Sequence, residues 1–409
     1  MSASTPTRGV FASAAFSRYF LGQSLSYVGD GLRTLAVPLL VFHLTNSAVA
    51  LGGGLIAETL PFALFSVVGG SLADRVDRRR LMIYCDAVRC AVMVAFAVAY
   101  VTHHLSVPGI YCGLIVISIS AAFFMGGQSS SLPYLLGKAN ATRGMSALLA
   151  AENTSNLVMP AIGAALFGLF GILPALIANA ATYLASQFSL ASIPSSLGPD
   201  KPVGVPSLRE LIADTRIGFQ FIFADRSMRA QATIGLSLNT LGFGGFSILI
   251  PFLKRDFGAS TITVGLFFAV TAIGAILGSL AAGHVDRRWP FGKMITAAYI
   301  ADAVLFLPVL FARNIWVVAA FWAISSGLAQ FEVAQIIGWR LRVIPQELVG
   351  RVFGAIRLFV LCGLAPGVMF AAWMADRFGA HPAMTVVAWG FVVIAVAALA
   401  SPVIRDEAR

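Results

Sequence analysis

Long apolar runs, separated by short polar stretches, follow one another along almost the whole chain. A helix needs about 20 apolar residues to cross a hydrocarbon core about 30 Å thick. By that length the first half predicts six spans, near 18–43, 49–72, 81–102, 107–129, 146–168 and 172–192. The second half predicts six more, near 230–253, 261–283, 293–312, 315–338, 352–375 and 382–402. The pattern therefore predicts an all-α integral membrane protein with twelve transmembrane helices.

The composition indicates that lipid is the solvent of most of the surface. Only 11% of the 409 residues are charged, whereas a soluble domain carries about 25%. The net charge of +10 does not indicate nucleic-acid binding, because the basic residues stand between apolar runs rather than on one face. The four cysteines lie in apolar segments without metal or redox spacing, so we expect neither a metal nor a cofactor.

The placement of lysine and arginine predicts the orientation of the spans. If the amino terminus is cytoplasmic, the outer loops hold four basic residues, Lys254, Arg255, Arg313 and Arg377. Most of the other basic residues then lie in inner segments, as the positive-inside rule requires. We therefore expect a multi-pass protein of the cytoplasmic membrane with both termini in the cytoplasm.

A short motif occurs in both halves of the chain. Gly69–Arg79 reads GGSLADRVDRR and Gly278–Arg288 reads GSLAAGHVDRR, at an offset of 209 residues. The same offset places Asn239 at the position of Asp30. The repeat predicts two pseudo-symmetric six-helix bundles, as in duplicated transporters.

The predicted domains are two bundles and a polar connection between them. The bundles cover 1–192 and 230–409, and the linker covers 193–229. Inside the linker, the helical periodicity of 207–226 predicts an amphipathic helix along the cytoplasmic surface.

The first copy of the motif resembles the loop signature of the Major Facilitator Superfamily. The matching residues are Gly70, Leu72, Ala73, Asp74, Arg75, Arg78 and Arg79. Three segments are similar to the enterobactin-exporter and macrolide-efflux branch: ADRVDRRRL, GQSLSYVGDGLRTLAVPLLVFHLTNSA and IADTRIGFQFI. The resemblance implies the Major Facilitator fold and a loop that holds the two bundles together in one transport state. It implies gating roles for Gly70, Asp74, Arg75, Arg78 and Arg79; the alternative is that these charges only set the topology.

A charged side chain at the middle of a transmembrane helix is energetically costly and therefore indicates a partner or a function. Asp30 and Arg33 lie one turn apart on the first predicted helix, and Glu58 lies near the middle of the second, with no basic residue one turn away. The resemblance implies that helices 1, 4, 7 and 10 line the substrate path. A carboxyl group in a poorly solvated cavity can exchange protons near neutral pH, so Asp30 and Glu58 are the candidates for proton coupling. The alternative is a static Asp30–Arg33 pair that only orients helices.

Other polar side chains inside spans are candidates for the substrate cavity or for contacts between helices. The cavity candidates are Arg33, Glu152, Asn239, Glu332 and Arg357. Similar depth predicts a pair between Glu332 and Arg357, and a one-turn spacing predicts a local pair between Asp86 and Arg89 that supports the loop. Asp302, on a helix that is peripheral in this family, is a weaker candidate.

The fifth span contains NLVMPAIGAAL, which partly matches a glycine and proline signature of drug/proton antiporters. Pro160 and Gly163 fit that signature, and they predict a helix kink. The partial match favours efflux.

The sequence contains no nucleotide-binding loop and no nucleophile–base constellation, so we expect a transporter and not an enzyme. The predicted function is export of small, partly hydrophobic molecules, such as a drug, a macrolide or a siderophore-like compound. We expect alternating access, proton antiport and a monomer. An uptake carrier or a lysophospholipid flippase of the same fold is the alternative, and a membrane sensor without transport is a weaker one.

Overall fold

The computed structural model describes residues 10–73, 76–193, 197, 208–282 and 290–405. Every regular element in these ranges is helical. The first six long helices are α1 (Ala14–Thr45), α2 (Ala48–Ala73), α3 (Arg78–Val101), α4 (Val107–Leu136), α5 (Lys138–Phe170) and α6 (Leu173–Ala191). The prediction of an all-α fold is confirmed.

A shorter helix, α7 (Leu208–Ala224), precedes the second set. The later helices are α8 (Arg226–Asp256), α9 (Thr261–Ala282), α10 (Phe291–Phe306), α11 (Ile315–Val343), α12 (Val349–Leu361), α13 (Leu364–Phe378), α14 (Ala380–Ala400) and α15 (Pro402–Arg405). Single 3₁₀ turns lie at Val10–Ala12, Leu307–Leu310 and Gln346–Leu348.

Eleven of the described helical segments are long and apolar enough to cross a membrane. Eleven of the predicted spans correspond to them. The remaining one, α6, carries Asn179, Thr182 and Gln187 within its 19 residues and falls outside that set. Several helices extend beyond the predicted spans; α5, for example, has 33 residues, because a helix does not end where the hydrocarbon ends.

The predicted span 352–375 is not one continuous helix. A turn at Cys362 and Gly363 separates α12 from α13. Pro366 lies three residues after this turn and has no N–H to donate to the carbonyl of Cys362, which weakens a continuous helix at this point. The sequence pattern missed the break because both halves are equally apolar.

The described residues form two groups of contacts. The first unit contains 1–36 and 57–205, and the second contains 37–56 and 206–409. Within the first unit, α3 packs against α4 and α6; within the second, α11 packs against α9 and α8 packs against α13 and α14. The division into domains 1–192, 193–229 and 230–409 stays a prediction.

The glycine that the repeat shares has a similar role in both units. A Cβ at Gly69 would lie 2.5 Å from the carbonyl oxygen of Ala122 on α4. A Cβ at Gly278 would overlap the backbone of Gly327 on α11. Each glycine therefore allows close contact between two helix backbones, as small residues do in membrane helices. The adjacent Gly70, by contrast, has no atom within 4 Å of an added Cβ.

The amphipathic helix predicted in the linker is present as α7. Its apolar face packs against α12, where the ring of Phe359 meets those of Phe219 and Phe223 at 6.4 and 5.9 Å. Gly218 allows this approach, because an added Cβ would overlap the carbonyl oxygen of Arg351. Part of the hydrophobic face of α7 is thus covered by protein, whereas the sequence pattern had indicated the membrane surface.

Candidate functional site

The charged loop between α2 and α3 is partly described, and Asp74 and Arg75 lie outside the described residues. Arg78 is buried, and its Nη1 donates to the carbonyl oxygen of Leu197 at 3.1 Å. Arg79 donates from Nη2 to the carbonyl oxygen of Ala191 at 2.5 Å. Both arginines therefore hold the chain at and after the end of α6.

Two further contacts hold the same segment, one from this loop and one from α1. Asp77 caps α3 by accepting from the backbone N of Arg79 at 3.1 Å, and it also accepts from the backbone N of Leu197 at 3.3 Å. Arg18 of α1 donates to the carbonyl oxygen of Ser192 at 3.1 Å. Cations are favoured at a helix carboxyl terminus, where carbonyl groups lack partners within the helix. The sequence did not predict that α6 is the anchor of this loop.

In the membrane-spanning part of the first unit, Arg33 binds Glu58. Nη2 of Arg33 lies 2.6 Å from Oε1 of Glu58. The arginine side chain is 7% exposed and the glutamate side chain 29%. The static pair that we considered between Arg33 and Asp30 is thus replaced by an ion pair between α1 and α2. Sequence spacing suggested the wrong partner because Asp30 is near along the chain, whereas Glu58 is brought close by packing.

Asp30 is held by two other helices. The Tyr183 hydroxyl of α6 donates to Oδ1 of Asp30, and Nη1 of Arg89 on α3 lies 3.8 Å from Oδ2. Arg89 also lies 3.3 Å from Asp86, so the predicted Asp86–Arg89 pair is present. The Arg89 guanidinium lies over the rings of Phe124 and Tyr183, at 4.3 and 5.2 Å. Arg89 therefore belongs to a network inside the membrane and does not only support the loop.

The N-terminal charge network consists of three acidic and two basic side chains: Asp30, Glu58, Asp86, Arg33 and Arg89. If all five are ionised, the network has one negative charge in excess. A buried excess charge is costly unless a counterion, a proton or water compensates it. A proton or a cationic group bound here would remove this excess charge.

A row of polar side chains continues the network along α1. Gln128 of α4 donates to the Tyr27 hydroxyl. It also donates to the side-chain oxygen of Gln23 at 3.3 Å, and Gln23 in turn donates to the Ser186 hydroxyl at 3.4 Å. Gln23, Tyr27 and Asp30 recur at the i, i+4, i+7 spacing of one helix face. The sequence analysis missed this row, although that spacing was visible in the sequence.

The predicted cavity residues lie in different surroundings. Glu152 of α5 interacts electrostatically with Asp30, which places it beside the network. Asn239 donates to the carbonyl oxygen of Gly235 in its own helix at 2.8 Å. Arg357 is exposed on α12. The ion pairs between described residues include none between Glu332 and Arg357, so that prediction has no support.

Glu332 instead lies near Asp302 in the second unit. Asp302 is 4% exposed and accepts from the Ser325 hydroxyl at 2.7 Å. Glu332 is 6% exposed, and its Oε1 has no hydrogen-bond partner. Asp302, which the sequence analysis ranked low, is therefore one of two buried carboxyl groups on neighbouring helices.

The residues of the predicted kink lie where α5 crosses α1. Helix α5 includes Pro160 and continues without interruption to Phe170. A Cβ at Gly163 would overlap the carbonyl oxygen of Leu32, and a Cβ at Gly31 would lie 2.6 Å from the Cβ of Met159. These glycines bring the two backbones together beside Asp30 and Arg33.

A further polar cluster lies in the second unit, where α2 begins. Asp376 of α13 accepts from the Ser47 hydroxyl and from the backbone N atoms of Ala48 and Val49, at 2.6, 2.8 and 3.0 Å. Arg255 donates to the same carboxylate at 3.0 Å. An acidic group at a helix amino terminus satisfies N–H groups that have no partner within the helix. Sequence analysis missed this cap because it comes from another helix.

Comparisons with known proteins agree with this architecture. The family model described as Major Facilitator Superfamily matches residues 19–365. The chain is 23% identical to the multidrug efflux pump Tap of Mycolicibacterium fortuitum over 387 residues, covering 92% of this chain and 93% of that protein. It is also 23% identical to the enterobactin exporter EntS of Escherichia coli O1:K1 / APEC, covering 83% and 80% of the two chains.

Solved structures show the same fold. A bacterial homolog of the human lysosomal transporter Spinster superposes with a TM-score of 0.73 at 17% identity, covering 100% of this chain and 99% of that one. The nucleoside transporter NupG, as its D323A mutant, superposes with a TM-score of 0.75 at 14% identity, covering 94% and 99%. The predicted resemblance is confirmed, including the efflux branch, and family and fold indicate a transporter of small molecules rather than an enzyme. Since the family model covers most of its length, this multi-pass membrane protein belongs to the Major Facilitator Superfamily.

Proposed function

We propose that the protein exports small, partly hydrophobic molecules across the cytoplasmic membrane by alternating access, in exchange for protons. Export is supported by relatives that are named as a multidrug efflux pump and as an enterobactin exporter. The proposed carrier is a monomer with both termini in the cytoplasm, consistent with the excess of basic residues in the inner loops.

The observation that carries the proton proposal is the N-terminal charge network, which has three carboxyl groups and two guanidinium groups. Asp30 and Glu58 side chains are each 29% exposed, while Arg33 and Arg89 are 7% and 4% exposed. Water can therefore reach the carboxyl groups more easily than their arginine partners. A proton on either carboxyl group would remove the negative charge that its arginine binds, and the network would rearrange.

Proton binding would then change contacts between helices. Asp30 connects α1 to α3 and α6, and Glu58 connects α2 to α1. Neutralising Asp30 leaves Arg89 with Asp86 as its acidic partner. The loss of the Asp30–Arg89 contact is a difference between two states, as alternating access requires.

We also propose that the loop between α2 and α3 acts as a gate, through Gly70, Asp74, Arg75, Arg78 and Arg79. The contacts of Arg78 and Arg79 with the chain at and after the end of α6 support a loop that transmits movement of that helix. The proposed substrate cavity includes Arg33, Glu152, Asn239, Glu332 and Arg357. Among these, Glu152 has the best support, because it lies beside the network and is partly exposed.

The coupling proposal is tested with Asp30→Asn and Glu58→Gln in inside-out vesicles, with ethidium as a fluorescent, partly hydrophobic probe. A coupling residue should lose ethidium accumulation driven by an acidic vesicle interior and keep ethidium exchange without a gradient. The exposed Glu347, substituted by Gln, is the control and should behave as the wild type.

Full gradient-driven accumulation in both variants would contradict the coupling role of these residues. Accumulation of ethidium only when the gradient is reversed would indicate uptake instead of export. If the wild type moves no ethidium under either gradient, export of this class of molecule is contradicted.

A further inference from the structure

Two buried carboxyl groups lie between α10 and α11 in the second unit. Asp302 is 4% exposed and accepts a hydrogen bond from Ser325 at 2.7 Å. Glu332 follows Ser325 on α11 by seven residues, which is two helical turns, or about 10 Å along the same face. The two carboxyl groups interact electrostatically. This Asp302–Glu332 pair thus lies in the interior of a membrane-spanning unit.

Within the part of the chain that the structure describes, the elements packed around the pair bring few charges to it. Helix α9, the main neighbour of α11, has no titratable side chain between Thr261 and Ala282, and the turn Leu307–Leu310 has none. Helix α10 contributes Tyr299, Asp302 and, in its first turn, the exposed Lys293. On α14, which packs against α10, the titratable group is His381, whose Nε2 lies 2.9 Å from the carbonyl oxygen of Leu310.

Arg340, on the same helix as Glu332, has another partner. Arg340, two turns after Glu332 on α11, donates from Nη2 to Oε1 of Gln231 at 2.6 Å. The ion pairs recorded between described residues include none to Asp302 or Glu332. Tyr299, 2% exposed, interacts electrostatically with both carboxyl groups, and its hydroxyl has no hydrogen-bond partner. Oε1 of Glu332 is likewise buried without a hydrogen-bond partner.

Two ionised carboxylates cannot remain together in the interior of a membrane-spanning unit without an opposite charge or a proton. Each would carry the cost of burial, and each would repel the other. A buried carboxyl group avoids this cost by staying protonated and neutral. The N-terminal charge network is different, because arginines neutralise most of its carboxylates.

We infer that the Asp302–Glu332 pair is a proton-binding site of the second unit, with the proton on Glu332 and a hydrogen bond from Ser325 on ionised Asp302. The choice of Glu332 follows from its contacts. Asp302 has a hydroxyl donor that stabilises its charged form, whereas Oε1 of Glu332 has no donor. Proton binding at this site does not depend on transport. A role of the site in proton-driven export rests on the proposed function.

Infrared spectroscopy of the purified protein in detergent at neutral pH tests the site directly. A protonated carboxyl group gives a carbonyl-stretch band that ionised carboxylates lack. We expect this band in the wild type, its loss in Glu332→Gln, and its persistence in the control Glu347→Gln, where the glutamate is exposed. The same band in Glu332→Gln as in the wild type, or no band in the wild type, would overturn the inference.

A milder variant covers the case in which Glu332→Gln does not fold. Ser325→Ala keeps both carboxyl groups and removes the donor to Asp302. Because the charged form of Asp302 loses its hydrogen bond, the proton should be distributed differently between Asp302 and Glu332, and the band should shift. An unchanged band in Ser325→Ala would contradict the arrangement.

A transport measurement separates this inference from the proposed function. In inside-out vesicles, Glu332→Gln should lose ethidium accumulation driven by an acidic interior and keep ethidium exchange. If the infrared band is lost but accumulation is unchanged, the pair binds a proton that does not drive export. If wild-type vesicles accumulate no ethidium, the proposed function fails while the infrared result still decides the site.

Discussion

The ion pair between Arg33 and Glu58 makes the sharpest prediction about stability. Nη2 of Arg33 binds Glu58 at 2.6 Å, while Nε and Nη1 are buried without hydrogen-bond partners. Glu58→Leu would therefore leave a 7% exposed guanidinium without its ion-pair partner. Breaking a buried ion pair from one side costs about 3–5 kcal/mol. Arg33→Met should cost less, about 1–3 kcal/mol, because the remaining carboxylate is 29% exposed.

The double variant Arg33→Met/Glu58→Leu should be close to the wild type. Replacing both partners by apolar residues of similar volume leaves no uncompensated charge and is often neutral or stabilising. The coupling free energy between the two sites should therefore approach the sum of the two single losses, about 4–8 kcal/mol, which additive losses would not give.

Thermal unfolding in detergent measures these differences. For units of this size, 1 kcal/mol shifts the midpoint by about 2–4 °C, so Glu58→Leu should melt about 10 °C below the wild type. Arg80→Met is a matched control, since Arg80 is 81% exposed and lies 3.9 Å from Asp77; it should melt within about 2 °C of the wild type. Additive losses in the double variant would refute the pair and the reasoning from burial.

Two further predictions concern helix contacts. Asp376→Ala should cost about 1–3 kcal/mol, because the first backbone N–H groups of α2 lose a charged cap; hydrogen exchange at the start of α2 should accelerate, and unchanged protection would contradict the cap. Gly163→Ala should lower the melting temperature, because its Cβ would overlap the backbone of α1. Gly70→Ala should leave the melting temperature unchanged or slightly higher, because an added Cβ at Gly70 has no atom within 4 Å. Equal decreases in melting temperature for Gly163→Ala and Gly70→Ala would exclude close packing as the cause.

The sequence by itself determined the class of fold, because the length and hydrophobicity of a span depend on local composition alone. Eleven of the predicted spans coincide with helical segments that can cross a membrane. The repeat also identified Gly69 and Gly278, which the structure places at close contacts between helix backbones. Helix α7 was predictable from its periodicity, although its contact with α12 was not.

Only the tertiary structure decided which charged side chains are partners. Helical periodicity gives the face and the depth of a residue, but not the neighbouring helix that the face meets. Asp30 and Arg33 are one turn apart, yet packing directs Arg33 to Glu58 on α2 and Asp30 to Arg89 and Tyr183. In the interior of a membrane protein a charge must find a partner, and distances between helices rather than distances along the chain select it.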